Sequence, residues 1–94
     1  MLLSENQIKE KLLELTNWEY KDGQIQKTYS FKNFETAIKL VNQIAMIAEN
    51  LNHHPNIDVR YSKVTFILST HSESGVTEKD FNLAREIEKT AAVI

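Results

Sequence analysis

The chain has 94 residues, and 11 Lys and Arg stand against 13 Asp and Glu, which gives a formal net charge of -2. This length suits one domain, so residues 1–94 are treated as a single unit. The absence of cysteine excludes disulfides, iron–sulfur clusters, thiolate zinc sites and a cysteine nucleophile. No apolar stretch is long enough to cross a membrane, and the first residues lack a secretory-signal pattern. We therefore expect a cytoplasmic protein with no membrane association.

The distribution of positive charge bears on nucleic-acid binding. The Lys and Arg residues are scattered along the chain and mostly interleaved with acidic residues. A protein that binds DNA or RNA needs a clustered cationic face to displace counterions from phosphates. The sequence shows no such cluster, and we expect no direct contact with nucleic acid.

A helix and a hairpin are predicted for the first third of the chain. Ser4 and Gln7 have the spacing of a capping box, and apolar residues at helical spacing follow them. This pattern predicts a helix over residues 5–15. Asp22-Gly23 lies between two segments of alternating polarity, which is typical of a two-residue hairpin turn.

A second, longer helix is predicted from Asn33, which can cap it, to about Leu51. Its apolar residues cover about half of the helical circumference, whereas a helix lying on one sheet needs a narrower stripe. We infer that it has a second buried face, most simply a contact between subunits. The alternative is a helix enclosed by elements of its own domain. A chain this short has few elements that could cover it.

The second half of the chain predicts another hairpin and a third helix. Alternating residues predict strands over 57–61 and 64–69, with Ser62-Lys63 turning the chain between them. Thr77 then begins a helix of apolar residues at helical spacing. The order is helix, hairpin, helix, hairpin, helix. It predicts an α+β fold, a four-stranded antiparallel sheet with three helices packed on one face.

The three histidines of the chain lie at or beside two loops. His53 and His54 precede the third predicted strand, and His71 follows the fourth. In a hairpin the first residue of the entering strand lies across from the last residue of the leaving strand. The three imidazoles should therefore meet at one end of the sheet. An unperturbed imidazole titrates at about pH 6.5, so such a group suits proton transfer in both directions.

Nearby carboxylates leave several interpretations open. Glu49 precedes His53 by four residues, so a continuing helix would let it orient that imidazole, but both could equally be solvated groups at a helix end. Asp80 follows Thr77 by three residues and is expected to complete a capping box rather than to act in catalysis. Two histidines and a carboxylate could bind a metal. Adjacent residues such as His53 and His54 rarely reach one ion, and we expect no metal.

Several short motifs together resemble the signature of the pterin-4a-carbinolamine dehydratases. The motifs are Glu49-x3-His53-His54-Pro55, Tyr61, Thr70-His71 and Gly75-x-Thr77-x2-Asp80. The resemblance extends over nearly the whole chain, from about Leu12 to Glu88. It departs at Val76, where leucine is usual, and at Leu40, where an aromatic residue is common.

The resemblance implies a reaction and a site. The family removes water from a 4a-hydroxytetrahydropterin to give the quinonoid dihydropterin, and uses no cofactor or metal. Carried over residue by residue, the catalytic set is His53, His54 and His71. Positions that match the family's substrate contacts are Glu49, Pro55, Thr70, Ser72 and Glu73.

The resemblance also suggests how these residues share the work. We expect His54 and His71 to transfer the protons directly, with His53 and Glu49 positioning the pterin. The family implies a homodimer or homotetramer, which agrees with the wide apolar face of the second helix. One relative serves as a dimerisation partner for a transcription factor, so the alternative is a non-catalytic dimerisation or binding module of the same fold.

Overall fold

A computed structural model describes all residues, 1–94, and has the predicted α+β order. The elements are α1 (Glu5–Leu12), β1 (Glu19–Lys21), β2 (Gln24–Ser30), α2 (Phe34–Leu51), β3 (Asn56–Arg60), β4 (Lys63–Leu68) and α3 (Glu78–Ala92). A short 3-10 helix, His71–Glu73, lies between β4 and α3. None of the helices combines the length and the apolar character that crossing a membrane requires.

The four strands form one antiparallel sheet in the order β1-β2-β4-β3. The strands β2 and β4 are central, with Ile25 opposite Leu68 and Tyr29 opposite Val64. Residues of one parity on β4 are buried against the helices, whereas Thr65, of the other parity, faces away and bonds Thr28 across the sheet. The predicted sheet with helices on one face is confirmed.

Local side-chain caps begin all three helices as the sequence predicts. Ser4 and Gln7 form a capping box at α1, and Thr77 and Asp80 form another at α3. Asn33 caps α2 by accepting a hydrogen bond from a backbone N–H of the first turn. Each cap satisfies backbone donors that would otherwise have no partner in the helix.

Two boundaries differ from the prediction. The α-helix α1 ends at Leu12 rather than near residue 15, because the next three amides bond carbonyls only three residues back. The second hairpin turns at Tyr61-Ser62 rather than at Ser62-Lys63, since Arg60 pairs with Lys63 across the strands. Tyr61 has a φ of +55°, the left-handed conformation that such tight turns require.

The helix α2 presents its apolar residues to two different surroundings. Ala37, Leu40 and Ile44 are fully buried in the core between the helices and the sheet. Three other large apolar side chains of the helix are 47–69% exposed: Phe34, Met46 and Leu51. Elements of the same chain therefore do not enclose the whole helix. The alternative, in which the helix is covered entirely by its own domain, does not describe the single chain.

Candidate active site

The first part of the site is the junction between α2 and β3. Asn52 adopts the left-handed conformation, with φ 52° and ψ 41°, and the backbone N–H of His53 bonds the carbonyl oxygen of Ala48 at 3.1 Å. This arrangement is a common way to end a helix. The chain has therefore left the helix at His53 and His54, and Pro55 leads it into the strand.

The second part is the loop that follows β4. The backbone N–H of Thr70 bonds the carbonyl oxygen of Gly75 at 2.7 Å, and the two residues form an isolated antiparallel bridge. Between them the 3-10 helix begins with His71, which is exposed. The loop then continues directly into the capping box of α3, which brings the start of that helix beside the histidines.

His53 is anchored by a buried carboxylate. Its Nε2 lies 2.6 Å from Oδ1 of Asp80, which is fully buried. The other oxygen, Oδ2, accepts the Thr70 hydroxyl at 2.8 Å and the Thr77 backbone N–H at 2.9 Å. A carboxylate oxygen accepts this hydrogen bond when the Nε2 of His53 carries the hydrogen, so the contact favours that tautomer of the ring.

His54 forms a different and more exposed pair. Its Nε2 hydrogen-bonds Oε2 of Glu49, and the side chains are 56% and 75% exposed. The interpretation that a continuing helix brings Glu49 to His53 is wrong. The helix ends at Leu51, and the left-handed Asn52 redirects the chain. As a result His54 reaches Glu49, and His53 does not.

The three histidines line one cavity at this end of the sheet. The cavity has a volume of about 340 Å³, within the range of small-ligand sites. Its lining is polar apart from Pro55 and consists of Asn52, His53, His54, Pro55, Asn56, Ser69, Thr70, His71, Ser72 and Lys79. No three His, Asp or Glu side chains of the chain are grouped in a way that could hold a metal ion.

The residues that match the family's substrate contacts do not all lie on the histidine cavity. Pro55, Thr70 and Ser72 line the cavity with the histidines. Glu49 is not among the lining residues and reaches the site through His54. Glu73 instead lines a neighbouring cavity, which shares Thr70, Ser72 and Lys79 with the first and also includes the residues that precede α1.

Two functional candidates were missed or undervalued by reasoning from the sequence. Asp80 completes the predicted capping box and also holds His53, so one carboxylate has both roles. Its place in the family-like motif was the signal that could have indicated this. Lys79 is the one lysine or arginine on the cavity, and its position next to Asp80 in the first turn of α3 was the available signal.

This arrangement can donate and accept protons. One imidazole is hydrogen-bonded to a buried carboxylate, and two exposed imidazoles lie around the same polar cavity. Imidazole side chains are the commonest general acids and general bases in enzymes, and several around one cavity can serve one bound molecule.

A known family and several known proteins resemble this chain over nearly its whole length. A family model described as pterin 4 alpha carbinolamine dehydratase matches residues 1–90. The chain belongs to this dehydratase family. A relative from Sulfolobus acidocaldarius, provisionally named a pterin-4-alpha-carbinolamine dehydratase, is 48% identical over 89 residues, which are 95% of this chain and 98% of the relative. A protein of the same provisional name from Herpetosiphon aurantiacus is 48% identical over 91 residues, 97% of this chain and 95% of its own length.

One solved structure supports the same family, and a second shares the fold. A crystal structure described as a transcriptional coactivator/pterin dehydratase from Brucella melitensis has a TM-score of 0.93 and 39% identity, over 97% of this chain and 99% of that one. A pterin dehydratase-like protein described as a RuBisCO assembly factor in the alpha-carboxysome has a TM-score of 0.66 and 19% identity, over 79% of this chain and 86% of that one. The second likeness shows a shared fold only.

Proposed function

We propose that this member of the dehydratase family is an active lyase that removes water from a 4a-hydroxytetrahydropterin and releases the quinonoid dihydropterin. The observation that carries the proposal is the meeting of His53, His54 and His71 on one polar cavity. A binding module of the same fold has no need of three imidazoles at one opening.

The reaction itself requires an acid and a base. The hydroxyl group on carbon 4a leaves as water once an acid gives it a proton. The electron pair for the new carbon–nitrogen double bond comes from the neighbouring ring nitrogen, which loses its own proton to a base. Each proton transfer by a positioned side chain contributes about 10²–10⁴-fold to the rate.

We assign the proton transfers to His54 and His71. Both are exposed side chains on the cavity, so a bound pterin can contact them. His53 is mostly buried and its Nε2 is engaged by Asp80, which suits a group that positions the substrate. Glu49 acts through the ring of His54, whose orientation it sets by its hydrogen bond.

Other residues on the cavity have the properties of substrate contacts. Ser72 and Pro55 line it with groups that can meet the polar edge and the flat face of a pterin. Lys79 supplies a cation that can bond the ring carbonyl oxygen. The hydroxyl of Thr70 is engaged by Asp80 and Thr77, so this residue serves the site by holding its walls together.

The partners follow from the same proposal. We infer a homodimer or homotetramer, because Phe34, Met46 and Leu51 leave apolar area of α2 exposed in the single chain. Light scattering at micromolar concentration should give at least twice the chain mass of 10.9 kDa. Direct nucleic-acid binding is not expected, and the cytoplasmic location stays a prediction from the sequence.

A second candidate function is a non-catalytic dimerisation or binding module. The description of the Brucella melitensis structure, which names a transcriptional coactivator as well as a dehydratase, is the observation that favours it. The two functions differ in what they require of the cavity, since a binding module would tolerate the loss of any of its histidines.

A direct dehydration assay tests the proposal. The carbinolamine is generated enzymically, and formation of the quinonoid dihydropterin is followed by absorbance with and without the purified protein. We expect acceleration well above the spontaneous rate, unchanged by a chelator of divalent metals. A protein that leaves the spontaneous rate unaltered would favour the binding module, and a rate lost to the chelator and restored by a divalent ion would favour metal-assisted chemistry.

A further inference from the structure

The residues that precede α1 cross the loop that carries His71. The backbone N–H of Leu3 bonds the carbonyl oxygen of Val76 at 3.0 Å. A Cβ atom built on Gly75 would lie only 2.8 Å from Cδ2 of Leu2. The side chain of Leu2 therefore lies directly over the glycine, in space that a larger residue at position 75 would occupy.

Gly75 connects this contact to the candidate active site. Its carbonyl oxygen accepts the backbone N–H of Thr70, the residue immediately before His71, at 2.7 Å. The hydroxyl of Thr70 in turn bonds Asp80, which holds His53. A shift of Gly75 would therefore move Thr70, and with it the neighbouring His71.

The other support of the loop comes from its own backbone hydrogen bonds, from the buried side chain of Val76, and from an ion pair at 3.6 Å between the amino group of Met1 and Glu73. Ser72, Glu73 and Ser74 are all exposed, and a cavity of about 390 Å³ separates part of the loop from the first residues of the chain and from α3. The contacts of Leu2 and Leu3 with Gly75 and Val76 are therefore well placed to fix the position of the returning part of the loop.

We propose that Leu2 is a positioning residue for His71. By packing on Gly75 it holds the loop in place, so that His71 stays on the cavity that it shares with His54. The inference rests on the proposed function, because it assigns a consequence for catalysis to a contact outside the cavity. A displacement of about 1 Å at a catalytic group can lower a rate by about 10²-fold.

The contact can be tested with a double-mutant cycle. Leu2→Ala removes the packing, and Gly75→Ala adds a methyl group where Leu2 now lies, at a position outside the left-handed region that would strain alanine. In the combined variant the new methyl group occupies space that the leucine has vacated. The control is Leu13→Ala, which removes a side chain that is 87% exposed.

We expect each single substitution to lower kcat by about 3- to 10-fold with KM within about 2-fold, and the combined variant to recover most of the loss. Leu13→Ala should leave both constants unchanged. If the two single variants match the control, or if their effects on kcat simply multiply in the combined variant, Leu2 does not position His71.

A second readout separates this inference from the proposed function. The NMR signals of the His71 ring and the hydrogen exchange of the Thr70 amide report the loop without any substrate. Both should change in each single variant and return towards the wild type in the combined one. If the wild type fails to dehydrate the pterin, the proposed function is wrong, but these signals still decide whether Leu2 positions the loop. Unchanged signals in both single variants would overturn the inference about Leu2.

Discussion

Two carboxylates on the helix α3, Asp80 and Glu88, gather polar groups in opposite ways. They lie eight residues apart, about two turns, on a helix that packs against the sheet. Asp80 joins a histidine to two threonines beside an open cavity. Oε1 of Glu88 accepts Trp18 Nε1 at 3.0 Å, Lys27 Nζ at 2.5 Å and the Tyr29 hydroxyl at 2.5 Å.

The difference lies in what each cluster leaves free. Around Glu88 the donors are structural groups: Trp18 is only 5% exposed, and Lys27 also lies over the ring of Tyr29, 4.6 Å from its centre. Around Asp80 the cluster holds one imidazole next to two more that face a cavity. Both clusters contain a carboxylate and aromatic partners. Only the Asp80 cluster adjoins exposed titratable side chains at an opening, and this property distinguishes a candidate active site from an internal tie.

The largest expected difference between the two regions concerns turnover. His54→Ala or His71→Ala should lower kcat for dehydration by at least about 10²-fold, because each removes a side chain to which we assign a proton transfer. Both side chains are exposed, so the melting temperature should stay near that of the wild type. Stopped-flow absorbance and thermal melts measure the two quantities.

The matched control for these variants is Glu88→Gln, which should keep turnover within about 2-fold of the wild type, since it lies outside the cavity. Near-wild-type turnover in both histidine variants would remove the catalytic assignment and with it the contrast between the two clusters.

The next expected effect separates the roles of the two carboxylates directly. Asp80→Asn should lower kcat by about 10- to 100-fold, since an amide no longer favours one tautomer of His53. It should also lower the free energy of unfolding by about 1–3 kcal/mol, because a charged acceptor is lost from a buried network. Glu88→Gln should lower stability by about 1–3 kcal/mol as well, with turnover kept.

Urea titrations beside the kinetic assay test this pair of variants. If Asp80→Asn reduces stability alone, as Glu88→Gln does, then Asp80 is a helix cap and the His53 contact has no bearing on catalysis.

The Glu88 cluster also predicts how stability depends on pH. Burial alone would raise the pKa of Glu88, but the hydrogen bonds from Lys27, Tyr29 and Trp18 outweigh it and hold the pKa below the usual 4.5. The folded state therefore binds this proton less readily than the unfolded state, and the stability that Glu88 provides is lost as the pH falls below about 4.5. Glu88→Gln should flatten this part of the acid limb in denaturant titrations at pH 3–6.

At alkaline pH the free energy of unfolding should change in the opposite direction and fall as the pH rises. Burial, followed by the hydrogen bond and the charge of Glu88, raises the pKa of Tyr29. The unfolded tyrosine loses its proton first, so stability should decline as the pH rises above about 10. Tyr29→Phe should reduce this decline. An unfolding free energy with the same pH dependence in both variants and in the wild type would show that the cluster is not formed as described.

The smallest expected effect belongs to the exposed pair of Glu49 and His54. Glu49→Gln should change stability by less than about 0.5 kcal/mol, as is typical of a solvated ion pair. It should lower kcat by no more than about 10-fold, because His54 keeps its place and loses only an orienting partner. The control is Glu10→Gln, an exposed carboxylate of α1 outside the histidine cavity. A loss as large as that of His54→Ala would make Glu49 a direct participant.

The parts of the fold that the sequence predicts are those determined within a few residues. Ser4, Asn33 and Thr77 bond backbone groups two or three residues away, and Asp22-Gly23 forms its turn with positive φ at both residues. Such interactions depend on local spacing, which is visible in one sequence.

Local spacing in the sequence does not predict which carboxylate pairs with each histidine. His53 and Asp80 are 27 residues apart, and a capping box predicted from Thr77 accounts for only one oxygen of the aspartate. A contact between Glu49 and His53 was one of two open interpretations, and it required the helix to continue two residues past Leu51, beyond the left-handed Asn52. The tie between Trp18 and Glu88 spans 70 residues and leaves no local pattern at all.

The double role of Asp80 links heat resistance to the site. The same side chain closes the first turn of α3 and anchors the imidazole of His53, and helix ends are where thermal fraying starts. We therefore expect any opening of this first helical turn to release the anchor of His53 even while the sheet, with its buried central strands, is still intact. The proposed activity should then be lost at a lower temperature than the fold as a whole, which activity and melting curves measured on the same sample would show.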